Sequence, residues 1–214
     1  MDRFSEVQAD AWRDSAAVCI AGGPSLTESQ VGAVRAAHEK GACRVIAVND
    51  AYRLAPFADL LFFADSKWWE WHREKPEFKA FAGQKCTIQS TGAMVGDDEI
   101  HMLRNGGREG ISRDSAELRT GGNSGHCALN IAAMAGAAHI ALLGYDARQG
   151  ENRKKHWFGD HPDGTAPTYR EMIALMRTTA APLAERGIEV LNASPGSALD
   201  CFPRATIEEF LARL

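Results

Sequence analysis

The stretch AAVCIAGGPSLTESQVGAVRAAHEKGACRVIAVND, residues 16–50, decides the fold. It begins with an apolar run that ends in glycines, continues with a helical pattern over 27–40, and returns to an apolar run over 43–50. Thr27 and Gln30 have the spacing of a capping box at the helix start. A strand, a helix and a second strand in this order predict a parallel strand pair joined by a crossover helix.

The same alternation continues to the end of the chain. Further strands are predicted at 58–65, 85–90, 99–104, 139–146 and 189–194, and helices at 66–75, 123–138, 168–187 and 206–214. Pro182 is expected to bend or end its helix. Residues 105–120 and 147–167 have no clear period; they are predicted to be loops, the second an active-site loop. The chain 1–214 is therefore predicted to be a single α/β domain of Rossmann-like type, with a mostly parallel sheet and helices on both faces.

Composition narrows the classes of function. The 214 residues are 45% hydrophobic and 24% charged, which is typical of a globular protein. A net charge of −4 argues against nucleic acid and anionic membrane as partners. No apolar run is long enough to span a bilayer, and the start MDRFSEVQADAW lacks the apolar core of a secretion signal. Because the cysteines form no CxxC pair, we expect reduced thiols and a cytoplasmic protein; they are Cys19, Cys43, Cys86, Cys127 and Cys201.

The loop after the first strand is predicted to contact a nucleotide. It reads Gly22-Gly23-Pro24-Ser25. Glycines let a backbone approach a ligand closely, and the start of the following helix offers amide groups to an anion. The spacing is not that of the dinucleotide fingerprint, and Pro24 removes one donor. A tight structural turn is the alternative interpretation.

The ends of the second and third strands carry Asn49, Asp50 and Asp65. The planar amide of Asn49 suits the edge of a base or a ribose. Asp50 is expected to cap the helix that follows it. Asp65 closes the very apolar run LLFFAD, where a carboxylate is suited to bind a ribose hydroxyl, orient a substrate or hold Mg²⁺.

A second glycine segment opens the helix predicted at 123–138. Its residues Gly121, Gly122, Asn123 and Ser124 have the composition of an anion-binding nest at a helix start. The alternative is a helix cap with a flexible entry. Ligands of open parallel sheets bind outside the carboxyl ends of the strands, so both glycine segments are expected at one edge.

The strand end at 144–146 and the loop after it combine glycine, carboxylate, cations and histidines. Cations beside the glycines would neutralise a phosphate, and histidine is suited to general acid or base work near neutral pH. The spacing HxxxxH without a third ligand does not predict a metal site, and a solvated basic loop is the alternative. The candidates are Gly144, Asp146, Arg148, Arg153, Lys154, Lys155, His156 and His161.

Several short blocks in order, AGGPSL, VND, FADS, NSG, LLGYD, HWFGDH and NASPGSAL, resemble those of the bacterial lipooligosaccharide sialyltransferases. The resemblance spans residues 16 to about 200. Those enzymes use a CMP-activated sugar on a Rossmann-type domain without an essential metal. The GPSL opening and the strand-end Asp also resemble the 6-hydroxymethylpterin pyrophosphokinase-like domains, and HWFGDH is most similar to uncharacterised proteins carried by prophages.

The resemblance also implies roles for individual residues. His161 matches the histidine that acts as general base on the acceptor hydroxyl, and Asp65 stands where the sialyltransferases have an Asn near donor and acceptor. Those enzymes hold the leaving phosphate with two tyrosines, whereas this chain offers Arg148 and the cations at 153–155 in that region. The residues implied to contact the nucleotide are Gly22, Gly23, Pro24, Ser25, Asn49, Asn123, Ser124, Gly144 and Asp146.

The residues predict a nucleotide-binding transferase, and the resemblance implies that it uses a CMP-sugar type of donor, has His161 as its base and needs no cofactor. One alternative is an ATP- and Mg²⁺-dependent pyrophosphokinase in which Asp65 and Asp146 hold the metal. The other is a phage-encoded accessory protein that binds a nucleotide without turnover.

Overall fold

The computed structural model describes residues 10–89, 91, 99–162 and 168–214, without the side chain of Asn152. The strands of this part are β1 (Ala16–Ile20), β2 (Cys43–Val48), β3 (Leu60–Phe62), β4 (Gln84–Ile88), β5 (Ile100–Asn105), β6 (Glu117–Leu118), β7 (His139–Leu143) and β8 (Glu189–Asn192). The helices are α1 (Glu28–Glu39), α2 (Ser66–His72), α3 (Pro76–Lys79), α4 (Ser124–Met134), α5 (Tyr169–Glu185) and α6 (Ile207–Leu211). The expectations for residues 1–9, for the end of the strand predicted at 85–90 and for 163–167 lie outside the described residues.

All paired strands run parallel, in the order β6-β5-β4-β3-β2-β1-β7-β8. The chain builds outward from β1 to β6 and then returns to the other side of β1 with β7. The carboxyl ends of β1 and β7 therefore flank the topological switch point, where open parallel sheets bind their ligands. The predicted α/β fold of Rossmann-like type is confirmed.

The sheet separates two apolar cores. Along β1, Ala17 and Cys19 pack with α4 and α5, whereas Val18 and Ile20 pack with α1, α2 and α6. This alternation follows from the period of two in a strand, and all four side chains are fully buried. Helices on both faces, as predicted, leave the sheet edge as the place for a ligand.

Local capping signals are confirmed where the sequence contains them. Thr27 caps α1 and Thr206 caps α6, and each forms a complete capping box, with Gln30 and Glu209 respectively. One expectation is wrong: the loop predicted at 105–120 contains the short strand β6, which pairs with β5. Pro182, expected to bend or end its helix, does not end it, because the helix predicted at 168–187 continues to Glu185.

Other features agree with the composition. The five cysteines are free thiols, and all except Cys201 are buried. Burial raises the pKa of Cys19 and of Cys86 to about 12, so these thiols are inert. Among the described residues, none of the helices has the length and apolarity needed to cross a membrane.

Candidate functional site

The loops that follow β1 and β7 are joined by hydrogen bonds across the switch point. The amide of Gly23 donates to the carbonyl of Gly144 at 2.8 Å. The amide and the hydroxyl of Ser25 donate to the two carboxylate oxygens of Asp146, at 3.1 and 2.9 Å. A Cβ on Gly23 would overlap the Asp146 carboxylate and the Gly144 carbonyl. We call these four residues, Gly23, Ser25, Gly144 and Asp146, the clasp.

The clasp changes the interpretation of the first glycine segment. The start of the following helix was expected to offer amides to an anion; within the glycine segment itself, the amides of Gly23 and Ser25 already have acceptors in the chain. Helix α1 begins only at Glu28, where Thr27 caps it. Asp146 is 3% exposed, and burial raises the pKa of its carboxyl group. Nucleotide contact by this segment stays a prediction.

The second glycine segment is built differently. Gly121 and Gly122 adopt positive φ, 54° and 65°, and bring the chain to the start of α4. Asn123 caps this helix: its Oδ1 accepts from the amide of His126 at 2.9 Å. The capping role anticipated as the alternative is thus real. It leaves the first two amides of α4, those of Ser124 and Gly125, with no carbonyl one turn earlier to accept from them.

Two adjoining cavities lie at this edge of the sheet. The first has a volume of about 160 Å³ and extends from the clasp to Ser124 and Gly125. The second, about 660 Å³, lies against α2, Thr91 and Thr120. The two share a wall formed by Asn49, Asn123, Ser124, His156, His161 and Met172. A molecule in either cavity would therefore lie beside the same two histidines.

Most of the predicted site residues line these cavities. Asp65 and Gly122 line the second cavity. Ser25 does not line the first cavity, but it makes two hydrogen bonds to Asp146, which does. Arg153 and Lys154 are exposed and line neither cavity, so the predicted cation cluster reduces to Arg148 and Lys155 at the site. The first cavity brings together Gly22, Gly23, Pro24, Asn49, Asn123, Ser124, Gly144, Asp146, Arg148, Lys155, His156 and His161.

The two histidines have different surroundings. Their ring centroids are 4.6 Å apart. His156 stacks on Phe158 at 5.0 Å and lies beside the backbone of Gly22. Burial, followed by the nearby His161, lowers the pKa of His156 to about 4, so its ring is neutral at neutral pH. His161 instead stacks on Trp71 of α2, at 5.6 Å and 28°.

Asp65, and not Asp50, is the residue that caps a helix. Asp65 is exposed and caps α2, because its Oδ1 accepts from the amides of Lys67 and Trp68 at 2.8 and 3.3 Å. Asp50, expected to be a cap, is instead buried: its Oδ2 accepts from the indole of Trp68 at 2.8 Å, and its Oδ1 pairs with Arg53 at 3.4 Å. Asp50 lines the first cavity. Its carboxylate therefore ties α2 to the loop after β2.

Two polar atoms on the first cavity have no hydrogen-bond partner in the described part of the chain. They are the buried Oδ1 of Asn49 and the buried hydroxyl of Tyr169. Asn49 also holds a positive φ of 49°, a strained backbone for a residue with a side chain. A buried polar atom without a partner costs about 1–3 kcal/mol. Both atoms are thus suited to bind a polar ligand.

Tyr169 carries no functional signal in the sequence. It falls on the apolar stripe of α5, where a tyrosine is typical of a core position. Its hydroxyl reaches the cavity because α5 begins at this residue, next to the loop that carries the histidines. Burial raises the pKa of Tyr169, and the nearby Asp146 and Asp160 raise it further, so it remains a hydrogen-bond donor.

Within the described ranges, no three His, Cys, Asp or Glu side chains are grouped so as to hold a metal ion. Asp65 and Asp146, the metal ligands of the pyrophosphokinase alternative, line different cavities. No family model, curated protein or solved structure matches this chain. The function is therefore assigned from the chemistry of the residues that line the two cavities.

Proposed function

We propose that this chain is a transferase that takes a nucleotide-activated sugar, of the CMP-sugar type, in the first cavity. The acceptor lies in the second cavity, and the sugar passes to one of its hydroxyl groups. One observation carries this proposal: the two cavities adjoin at the switch point of the sheet, and His161 lines both. Transfer between two substrates needs adjoining sites with an acid–base group between them.

The lining of the first cavity supports a donor that carries phosphate. Arg148 lies on this cavity, as does Lys155, which also pairs with Asp160 at 3.6 Å. Ser124 and Gly125, the first residues of α4, line the same cavity, and the amides at a helix start carry positive partial charge. The hydroxyl of Tyr169 adds a hydrogen-bond donor. These groups stabilise the negative charge that develops on a departing nucleotide phosphate.

His161 is better suited than His156 to be the base. The low pKa of His156, which its burial causes, makes it a weak base. His161 removes the proton of the acceptor hydroxyl while that oxygen bonds to the anomeric carbon of the donor. The bond from this carbon to the phosphate oxygen breaks, and its electron pair leaves with the nucleotide. Arg148 and the α4 amides receive that charge.

A thermal-shift screen tests the binding step. CMP, UDP, GDP and ATP are each added with Mg²⁺ and with EDTA. A ligand at a hundred times its Kd adds about 2.7 kcal/mol of stability, and we expect the largest shift for CMP in both conditions. A shift seen only with ATP and Mg²⁺ would favour the pyrophosphokinase alternative. No shift with any nucleotide would contradict the proposal.

Substitution of the histidines tests the chemical step. His161→Ala should lower transfer from a CMP-activated sugar by about 10²–10⁴-fold, because a positioned acid–base group is lost, while CMP affinity stays nearly unchanged. His156→Ala, a matched change 4.6 Å away, should cost less. Transfer is measured as CMP release that depends on added acceptor. Full activity of His161→Ala would remove it from the mechanism.

A further inference from the structure

We propose that Trp71 of α2 is a positioning residue that sets the ring plane of His161; this inference rests on the proposed function. In the described part of the chain no hydrogen bond orients the His161 ring, and its neighbours are aromatic. It stacks on Trp71 at 5.6 Å and 28°, and meets Phe158 edge-on at 5.2 Å and His156 at 4.6 Å. Of these neighbours, Trp71 alone lies outside the loop that carries His161.

A base must aim one ring nitrogen at the hydroxyl that it deprotonates. In many enzymes a carboxylate or a carbonyl hydrogen-bonds the other nitrogen and fixes the ring. Stacking restricts the same rotation by a different contact, because turning the ring out of the stack loses the contact with the indole face. The indole face also stabilises the positive charge on a histidine that has taken a proton.

Trp71 can perform this role only if α2 itself is fixed, and the contacts of its neighbours fix it. Asp65 caps the helix, and the indole of Trp68 donates to the buried Asp50 at 2.8 Å. Trp68 also stacks on His72 at 4.1 Å, and Trp69 stacks on Phe63 at 5.6 Å. The three tryptophans of α2 thus differ in role. Trp68 and Trp69 are buried and anchor the helix in the core, whereas Trp71 lines the second cavity.

Three variants separate this role from simple packing. Trp71→Leu removes the aromatic face, Trp71→Phe keeps one, and Glu70→Ala is a control at an exposed position of the same helix that lines neither cavity. We expect Trp71→Leu to lower kcat by about ten- to a hundredfold with little change in the acceptor KM, because the base is misaligned. Trp71→Phe should restore most of the activity. Glu70→Ala should match the wild type.

The His161 ring resonance, assigned by its loss in His161→Ala, gives a measurement without any substrate. In the wild type we expect it to show the ring-current shift of a stacked ring. Trp71→Leu should remove the share of that shift that the indole causes, while the shares of Phe158 and His156 remain, and Trp71→Phe should retain part of the indole's share. A resonance that Trp71→Leu leaves in place would overturn the inference even if the protein proves inactive. Failure of the proposed function itself would appear separately, as a wild type without nucleotide binding or transfer.

A double variant decides whether Trp71 acts through His161 or through the acceptor. In the His161→Ala background, Trp71→Leu should cause no further loss of kcat, because the residue that it positions is already gone. If Trp71 acts by contacting the acceptor, Trp71→Leu will raise the acceptor KM in both backgrounds, and that result would overturn the inference.

Discussion

The two glycine segments of the site look alike in sequence and differ in structure. In the first, at 22–25, the amides of Gly23 and Ser25 are bonded to Gly144 and Asp146 across the switch point. In the second, at 121–125, the cap Asn123 accepts from the amide of His126, and the first two residues of α4, Ser124 and Gly125, line a cavity. A glycine loop before a helix therefore supplies anion-binding amides only when no neighbouring loop has already taken them.

The largest expected difference concerns the glycines themselves. Gly23→Ala places a Cβ against the carboxylate of Asp146 and the backbone of Gly144, so it should cost about 3 kcal/mol or more of the free energy of unfolding. Gly122 is exposed, and a Cβ there meets only the end of the Arg108 side chain. Gly122→Ala should cost about 1 kcal/mol, from its positive φ.

Urea unfolding of the two variants measures this difference. The same measurement is needed before nucleotide binding by a glycine variant is interpreted. If a Gly23 variant is unfolded, its loss of nucleotide binding reflects the lost fold and not a lost contact. Equal losses of stability at Gly23 and Gly122 would mean that the first segment is no more tightly packed than the second.

Matched serine variants sharpen the contrast. Ser25→Ala removes a donor from the buried Asp146 carboxylate and should cost about 1–3 kcal/mol of stability. Ser124→Ala should change stability by less than about 0.5 kcal/mol. It should instead weaken CMP binding by about tenfold, the worth of one good hydrogen bond. Calorimetric titration with CMP and urea unfolding, run on both variants, check the pair; the opposite pattern would reverse the roles of the segments.

The smallest effect is a pH dependence of stability on the clasp side. His156, which lies beside Gly22, has its pKa lowered by burial to about 4, whereas an unfolded chain binds this proton near pH 6.5. The unfolded state therefore holds more protons between these values. The contribution of the neutral His156 ring to the free energy of unfolding is therefore complete above about pH 6.5, and it is lost as the pH falls towards 4.

His156→Gln should flatten this fall by about 1 kcal/mol, while the buried His72, whose pKa is also about 4, keeps its own contribution. Thermal unfolding between pH 4 and pH 7 measures both curves. If the wild type and His156→Gln lose stability in parallel over that range, His156 is not held in its neutral form by the fold.

Local signals in the sequence predict local structure well. The capping boxes at Thr27 and Thr206 involve residues three positions apart, and both form as expected. Strand β6 has no such signal, since its two residues become a strand only by pairing with β5. Helix α5 passes Pro182 because tertiary contacts hold its last turn: Leu183 is buried, and Arg186 donates to the carbonyls of Ile111 and Ser112.

The sequence predicts which loops form the site, but it does not predict which residues of those loops are in contact. The rule for parallel sheets places the loops after β1, β2 and β7 at one edge, and they meet there. Trp68 decides whether Asp50 or Asp65 becomes the cap. Its indole donates to Asp50, and its amide donates to Asp65. A choice of this kind is made by packing between distant elements, so no short-range pattern reports it.

A crystal structure of the protein with CMP tests the central claim most directly. The account predicts that the nucleotide phosphate lies within hydrogen-bond distance of the amides of Ser124 or Gly125 and beside Arg148. It also predicts that Gly23 and Ser25 keep their bonds to Gly144 and Asp146. A phosphate held by the amides of residues 22–25 in an opened clasp, or a nucleotide bound away from both cavities, would contradict it.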